Sequence, residues 1–451
     1  MANTVLTRTP SGAGNRRTFT YSVWVKRLVQ GAQSAIVCVG SNPSGGGSMF
    51  MIRFDPDTFN IYGHGSNPNM TTHRKFYDTS AWYHVVLAVD TTQSTASDRV
   101  KLYVNGVQET SFSTATYPGQ NDELEVNTTT TIHIGERPDD NAHFEGYMSH
   151  FHFIDGTAYP ASTFGSTDAT TGEWKINTGP NVTYGTNGFF ILKDGNSVTD
   201  QSGNGNNFTV SQGTLTKSED NPSNNFNTFT VKQPTNSTTI QNGNNTLVSG
   251  STQWNGAMTT IPLFKGKWYY ECKYITGGNI KFDVVGHQAD YRNFKTLNSA
   301  YGGYHGNGYG YQFNNSGNDY IGSNNSFPNW NGGLSSNSGD KIFMVALDLD
   351  NGKIWYGADG TWFNDASGNT GNPSTGAHAH QTMTAQHLSE KPHIVTGSVE
   401  GNGQTGHWNF GNGYFGTTAV SSAGSNASNI GIFEYDVPTG FTAISTKGLN
   451  E

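Results

Sequence analysis

The sequence predicts an all-β chain folded as two β-sandwiches in tandem, and three observations carry that prediction. Apolar residues alternate with polar ones at a period of two wherever they cluster, and helical periodicity is nearly absent. Two segments join their strands through Asn-Gly, a dipeptide whose residues both tolerate the positive φ of a tight hairpin turn. They are WYHVVLAVD with VKLYVNGV (Trp82 to Val107) and KIFMVALDLDNGKIWY (Lys341 to Tyr356). The composition has 57 glycines, 12% aromatic and only 13% charged residues. A disordered chain would be poor in aromatics and rich in charge, so this one reads as folded, with many turns and polar loops.

Taken in chain order, FTYSVWVKR (Phe19 to Arg27) places Phe19, Tyr21, Val23 and Val25 on one face of a strand. WYHVVLAVD sets Trp82, His84 and Val86 against Tyr83, Val85 and Leu87, and Asn105-Gly106 turns the chain into the next strand. Between about Gly195 and Gly250 lies a polar run, GNSVTDQSGNGNNFTVSQGTLTKSEDNPSNNFNTF. It should hold the last strand of the first half, a linker near Leu215 to Asn224 and the entry to the second half. A boundary at 218 gives domains 1–217 and 218–451. In the second half Asn351-Gly352 is expected to make a second turn of the same kind. No period of roughly 20 to 50 residues repeats, which argues against a solenoid or propeller.

The bulk properties narrow the function. A length of 451 residues suffices for two or three buried cores. With 25 basic and 34 acidic side chains the formal charge is −9, which offers no basic field to a nucleic-acid backbone, so no nucleic acid is expected as a partner. Cys38 and Cys272 fall in different domains and cannot staple either one, which points to folding in a reducing cytoplasm. No apolar run approaches the roughly 18 residues that span a bilayer. The start MANTVLTRTPSGAG lacks the apolar core of a secretion signal, so neither membrane insertion nor the usual export route is expected.

At WYHVVLAVDTT, VKLYVNGVQ, IHIGERPDD and HFEGYMSHFHFIDGTAYPASTFG the first half resembles laminin-G-like, concanavalin A-type jelly rolls over residues 16 to 165. The residues that carry this resemblance are Trp82, Leu102 to Gly106, Ile134-Gly135 and Phe144 to Gly146, which in that family lie in core strands and a hairpin. From Lys267 on, GKWYYECKYITGGNIKFDVVG, SGDKIFMVALDLDNGKIWYGADGTW and WNFGNGYF look like a SPRY-type domain, another concanavalin A-like sandwich, over most of residues 225 to 445. The order of the two, with TRTPSGAGNRRTFTYSVWVKR, FIDGTAY and DNPSNNF, resembles virion structural proteins of marine tailed bacteriophages. The resemblance implies a virion protein assembled in the host cytoplasm. It departs from elongated fibres in opening almost at once on a predicted strand, without an anchor or stalk.

Concanavalin A-like glycosidases need two carboxylates on one face of a cleft. The acidic cluster Asp122, Glu123 and Glu125 lacks the Glu-x-Asp-x-x-Glu spacing of the laminarinase type and sits beside a turn-like Pro118-Gly119. No Gly-x-Ser-x-Gly elbow or phosphate loop is present. A non-enzymatic binding protein is therefore expected, with a glycan-cleaving enzyme as the contrasting reading. Calcium is the candidate ion, held by Asp55 and Asp57 in FDPDTF or by Asp139 and Asp140 in ERPDDN. On strands, His378 and His380, and less so His150 and His152, would present two imidazoles to one metal. The ligand-binding rim is expected at Tyr291, Arg292, Tyr301, Tyr304, His305, Trp330 and Trp362, because aromatic faces stack on sugars and line protein interfaces.

These readings combine into a tail-fibre or tail-associated adhesin that meets a host-surface glycan or protein and contacts other virion proteins. The alternative is a capsid decoration or head-fibre protein. A homo-oligomer is expected, a trimer being the default for tail fibres, although no coiled-coil heptads are present.

Overall fold

The computed structural model describes residues 3–450 except 41–47, 65–67, 140–141, 194, 196, 233, 235–236, 276, 286–307, 315–318, 324–327, 331–333 and 335–338. The chain divides into two compact units, residues 1–217 with 221–223 and residues 218–220 with 224–451. Both are β-sandwiches, and among the described residues the one α-helix is Ala385–Ser389.

In the first unit the described residues form an eight-stranded sheet in the order Phe112–Thr116, Asn69–Lys75, Thr58–His64, Met49–Asp55, Ser34–Gly40, Ile132–Ile134, Val5–Arg8 and Thr209–Gln212. Facing it is a six-stranded sheet ordered Phe189–Ile191, Gly146–Asp155, Thr18–Arg27, Tyr83–Asp90, Val100–Val104 and Val107–Glu109. The predicted alternation holds: Phe19, Tyr21, Val23 and Val25 enter the core with Val85 and Leu87, against Val37, Phe50, Ile52 and Ile61 of the other sheet. Phe19 and Phe50 meet edge to face across the layers at 5.9 Å. Asn105 (φ 48°) and Gly106 (φ 79°) make the expected two-residue turn between Val104 and Val107. Glycine is required there twice over, since a Cβ on Gly106 would also lie 2.3 Å from the Trp174 ring.

The second unit joins Thr238–Gln241, Thr246–Ser249, Thr405–Asn409, Lys267–Tyr274, Lys341–Asp348, Lys353–Ala358 and Thr361–Trp362 in one sheet, with Gln381–Thr382 and Thr442–Ala443 pairing from the side. The other sheet runs Trp254–Met258, Ile394–Glu400, Asn279–Val285, Gly308–Phe313, Asp319–Ser323 and Asn329–Trp330. Trp268, Tyr270, Cys272 and Tyr274 meet Ile280, Phe282, Val395 and Val399 between the layers. The turn at Asn351-Gly352 differs from expectation. Asp348 pairs with Lys353, so four residues close the loop, and only Gly352 of the dipeptide has positive φ (66°). The Asp348 carboxylate fixes it by accepting from the Asp350 and Asn351 N–H groups, each at 3.0 Å.

The outer faces of the central strands are not solvated, as simple alternation would suggest. Outward-pointing Thr20, Ser22, Trp24 and Lys26 are all buried. Residues 157–184 lie over Val86 and Ile154 of the same sheet through Ala161, Phe164 and Trp174. In the second unit residues 411–445 cover Tyr269, Met344, Ala346 and Trp355 with Ile430, Phe433, Val437 and Phe441. Under that cover lies Glu271, with no exposed surface. Its Oε1 accepts from Tyr269 Oη and Tyr435 N, both at 2.9 Å, and its Oε2 from Glu434 N at 2.9 Å and Asn409 Nδ2 at 3.3 Å. Burial pushes the carboxyl up to about 7, against the opposing pull of these donors. Asn409 extends the anchor, because its Oδ1 accepts from Gly411 N and Gly413 N.

Replacing Glu271 by alanine leaves buried N–H donors without an acceptor. Glu271→Ala is expected to destabilise the second unit by about 3 kcal/mol in chemical denaturation, with protease-sensitive sites appearing first in residues 411–445.

Candidate binding face

On the strand Met49–Asp55, Phe50, Ile52 and Phe54 point inward, so Met51 and Arg53 face outward. Arg53 meets the next strand there. Its Nε donates to Asn60 Oδ1 at 3.0 Å, its guanidinium lies 5.4 Å from the centre of the Tyr62 ring, and its Nη2 donates to Asp55. Asn60 is itself held by donating to Thr71 Oγ1 (3.0 Å) and to the Met70 carbonyl (3.2 Å). A second ion pair joins Arg137 Nε to Asp139 Oδ1 at 2.7 Å, and Glu136 Oε1 lies 3.0 Å from His133 Nδ1. Beneath them Cys38, Met49 and Met51 form a small apolar floor shared with Tyr62 and Ala142.

The electrostatics of this face are nearly balanced. Burial lowers the Arg53 guanidinium and Asp55 opposes that shift, while the Asp139 hydrogen bond raises Arg137. Cys38 is a free thiol that burial pushes up to about 12, so it serves as floor and not as nucleophile. Fixed donors and acceptors around a half-buried Tyr62 can meet the hydroxyls and apolar face of a sugar, or a polar peptide surface.

The sequence pointed elsewhere for most of its candidates. Asp55 and Asp57 both lie at the turn into Thr58–His64 but serve different partners. Asp55 binds Arg53 and Gln33 Nε2, whereas Asp57 accepts from Gly31 N at 2.9 Å and lies 3.5 Å from Arg27. Asp139 is taken by Arg137, and Asp140 lies outside the described residues. No group of three or more His, Cys, Asp or Glu side chains arranged for a metal occurs among the described residues.

The strand expected at His378 and His380 is a correction, since neither residue lies in one and His378 has φ 52°. His380 accepts from Tyr356 N through Nδ1 at 2.8 Å and donates from Nε2 to the Phe363 carbonyl at 3.0 Å, so both ring nitrogens are used inside the fold. Exposed His378 instead faces Asp365 at 3.0 Å. A register shift between Ser149 and His152, with His150 at φ 49°, likewise breaks the alternation of the other pair.

Tyr291, Arg292, Tyr301, Tyr304 and His305 lie outside the described residues. Trp330 ends a strand and packs against Tyr311, Phe363 and His380, with ring centres 5.1 to 6.0 Å away. Trp362 is partly buried beside Tyr269. Both tryptophans are partly buried and brace the sandwich. In the acidic cluster, Arg16 lies 3.4 Å from both Glu123 and Glu125, and Arg17 lies 3.1 Å from Glu123, which ties these carboxylates to guanidinium groups.

The Arg53 face was missed because its members are spread over Arg53 to Asp139. The available signal was the alternation of Arg53, Asn60 and Tyr62 with the apolar residues Phe54, Phe59 and Ile61 on either side of Pro56-Asp57.

Residues 3–162 match the family described as the concanavalin A-like lectin/glucanases superfamily. The first unit carries a laminin G-type, concanavalin A-like domain. No curated protein matches the sequence. Similar solved structures include the TRIM65 PSpry domain, 14% identical over 41% of this chain and 88% of that one, with a TM-score of 0.29. Mouse laminin alpha1 chain domains LG4-5 are 9% identical over 98% of this chain and 84% of that one, with a TM-score of 0.29. A native heptameric SAP-like pentraxin from Limulus polyphemus is 15% identical over 39% of this chain and 86% of that one, with a TM-score of 0.27.

The two histidines should separate cleanly on substitution. His380→Ala is expected to cost about 2 to 3 kcal/mol, because it orphans the Tyr356 N–H, takes one of two donors from the Phe363 carbonyl and opens a hole among aromatic rings. His378→Ala should stay within about 0.5 kcal/mol. Thermal or urea denaturation of the two variants checks both.

Proposed function

We propose that this chain is a non-enzymatic adhesive protein of a bacteriophage virion, most simply a tail-associated one. Its first sandwich would bind a host-surface glycan or protein through the face around Arg53, Tyr62 and Arg137, with buried Asn60 holding Arg53 in place. The observation that carries the binding assignment is the pre-paired network on that face. Guanidinium, amide and carboxylate groups are held in fixed positions beside a half-buried aromatic ring, so little ordering is left to do when a ligand arrives. A laminin G-type fold is compatible with such a role. The virion context rests on the phrases TRTPSGAGNRRTFTYSVWVKR, FIDGTAY and DNPSNNF and on the order of the two sandwiches. A capsid decoration protein built from the same modules is the second reading, and a homo-oligomer, with a trimer as the default, is part of the proposal.

Labelled chain is expected to bind host cells saturably without releasing oligosaccharide. Tyr62→Ala should weaken that binding at least tenfold, about 1.4 kcal/mol, with an unchanged unfolding transition. Undiminished binding by this variant would remove the proposed face, and cleavage of the envelope glycan would replace adhesion by catalysis. Immunogold labelling of intact particles with an antibody against residues 225 to 451 tests position: label at the tail fits the adhesin and label over the head fits the decoration protein. No label on accessible particles would overturn both.

A further inference from the structure

His84 sits on the outer face of the six-stranded sheet of the first unit, stacked between Trp24 (4.7 Å, 15° between planes) and Trp174 (6.0 Å, 19°). The Trp174 indole N–H donates to His84 Nδ1 at 2.9 Å. An indole nitrogen can only donate, so Nδ1 carries no proton and Nε2–H donates to Ser22 Oγ at 2.9 Å. His84 is thus fixed as the neutral Nε2–H tautomer. Two strands away in the same sheet, beyond Thr18–Arg27, His152 is fully buried, stacked 3.9 Å from Phe190, with Nδ1 2.9 Å from the Tyr184 hydroxyl.

Both contacts end on residues 157–184, which cross this face. Gly165–Thr167 and Trp174–Ile176 form a two-stranded sheet of their own and pair with neither large sheet. The segment's other ties to the sheet include Thr20 Oγ1, which donates to the Thr157 carbonyl and accepts from Tyr159 N, and Asp155 N, which donates to the Tyr184 carbonyl. One of these ties requires an unprotonated nitrogen, His84 Nδ1, because an indole can only donate; the Tyr184 hydroxyl can donate to or accept from His152 Nδ1, and it is burial that disfavours a charged His152. We infer that residues 157–184 are an acid-releasable strap: protonation of His84 and His152 frees them from the outer face while the sandwich beneath stays folded.

The reason lies in geometry. A proton on His84 Nδ1 would oppose the Trp174 N–H donor to donor across 2.9 Å, so Trp174 must leave before the ring can charge. The titratable groups acting on the two rings are His150, Lys193 and each other, with the Tyr184 hydroxyl facing His152, and the charges among them are positive. The ion pair on the strap, Asp168 with Lys175 at 2.7 Å, is satisfied within the strap itself. Burial first, and His150 second, hold His84 down at about 3, and burial chiefly lowers His152. Each ring is a base with a folded value below its free value of about 6.5. Docking is therefore at full strength above about pH 6.5 and is lost as the pH falls from there towards the folded value. The core of Phe19, Tyr21, Phe50 and Phe153 lies on the opposite face of the sheet and contains no histidine, which is why opening should stay local.

Hydrogen exchange read by mass spectrometry, at pH 7.5 and 5.0 and corrected for intrinsic rates, tests this. Peptides from 160–184 should lose protection about 30-fold for each imidazole freed at pH 5.0, while peptides from Thr18–Arg27 and Tyr83–Asp90 keep theirs. His84→Gln should blunt the pH response. Trp174→Phe keeps both histidines but removes the donor, so it should raise the His84 titration seen by NMR and move opening to higher pH, which decides the matter even if His84→Gln does not fold. Strap protection unchanged at pH 5.0, loss only together with the whole sheet, or a His84 titration unmoved in Trp174→Phe would overturn the inference.

Discussion

Closure of both faces of a β-sheet is the constraint on which the rest of this structure depends. The strands Thr18–Arg27 and Lys267–Tyr274 are buried along almost their whole length, on the inner face by the opposite sheet and on the outer face by a segment of their own unit. A sheet covered on both sides gains apolar burial twice, at about 25 cal/mol for each Å² removed from water. It also commits every outward polar residue to an internal partner. Ser22 and His84 in one unit, and Glu271 and Asn409 in the other, are the places where that commitment is met.

The same constraint separates the faces that are closed from the one that stays partly open. Where the chain lies back over a sheet, the polar residues beneath it act as anchors: Trp174 reaches His84, and the N–H groups of Glu434 and Tyr435 reach Glu271. On the eight-stranded sheet the residues around Arg53 are paired with one another and remain partly accessible, with 12% of the Arg53 side chain and 23% of the Arg137 side chain exposed. Buried imidazoles and carboxyls therefore speak to how the covers are held. The recognition reading belongs to the partly exposed network.

Much of the core was legible because period-2 alternation reports directly on which residues share a face. Phe19, Tyr21, Val23, Val25, Val85 and Leu87 all enter the layer between the sheets as their spacing implies. Asn105-Gly106 was legible too, since its positive φ values are a local property of the dipeptide. Asn351-Gly352 looked identical in sequence yet forms a longer loop, because Asp348 caps the backbone ahead of it. The histidine pairs misled for a related reason. Two-residue spacing implies a shared face only on a regular strand, and His378 and His150 both have left-handed backbones.

The all-β class, the inward sets of the central strands and the first hairpin could be read from the residues, because they follow from periodicity and from the φ preferences of single residues. Tertiary structure alone decided what lies on the outward sets. Thr20, Ser22, His84 and Glu271 alternate like solvent-facing residues, and nothing local distinguishes them from such residues. Their burial depends on segments many positions away, 157–184 and 411–445, folding back across them. The Arg53 face is of the same kind: Arg53, Asn60 and Tyr62 are close in sequence, but Arg137 and Asp139 join them only through contacts that the packing of the unit creates.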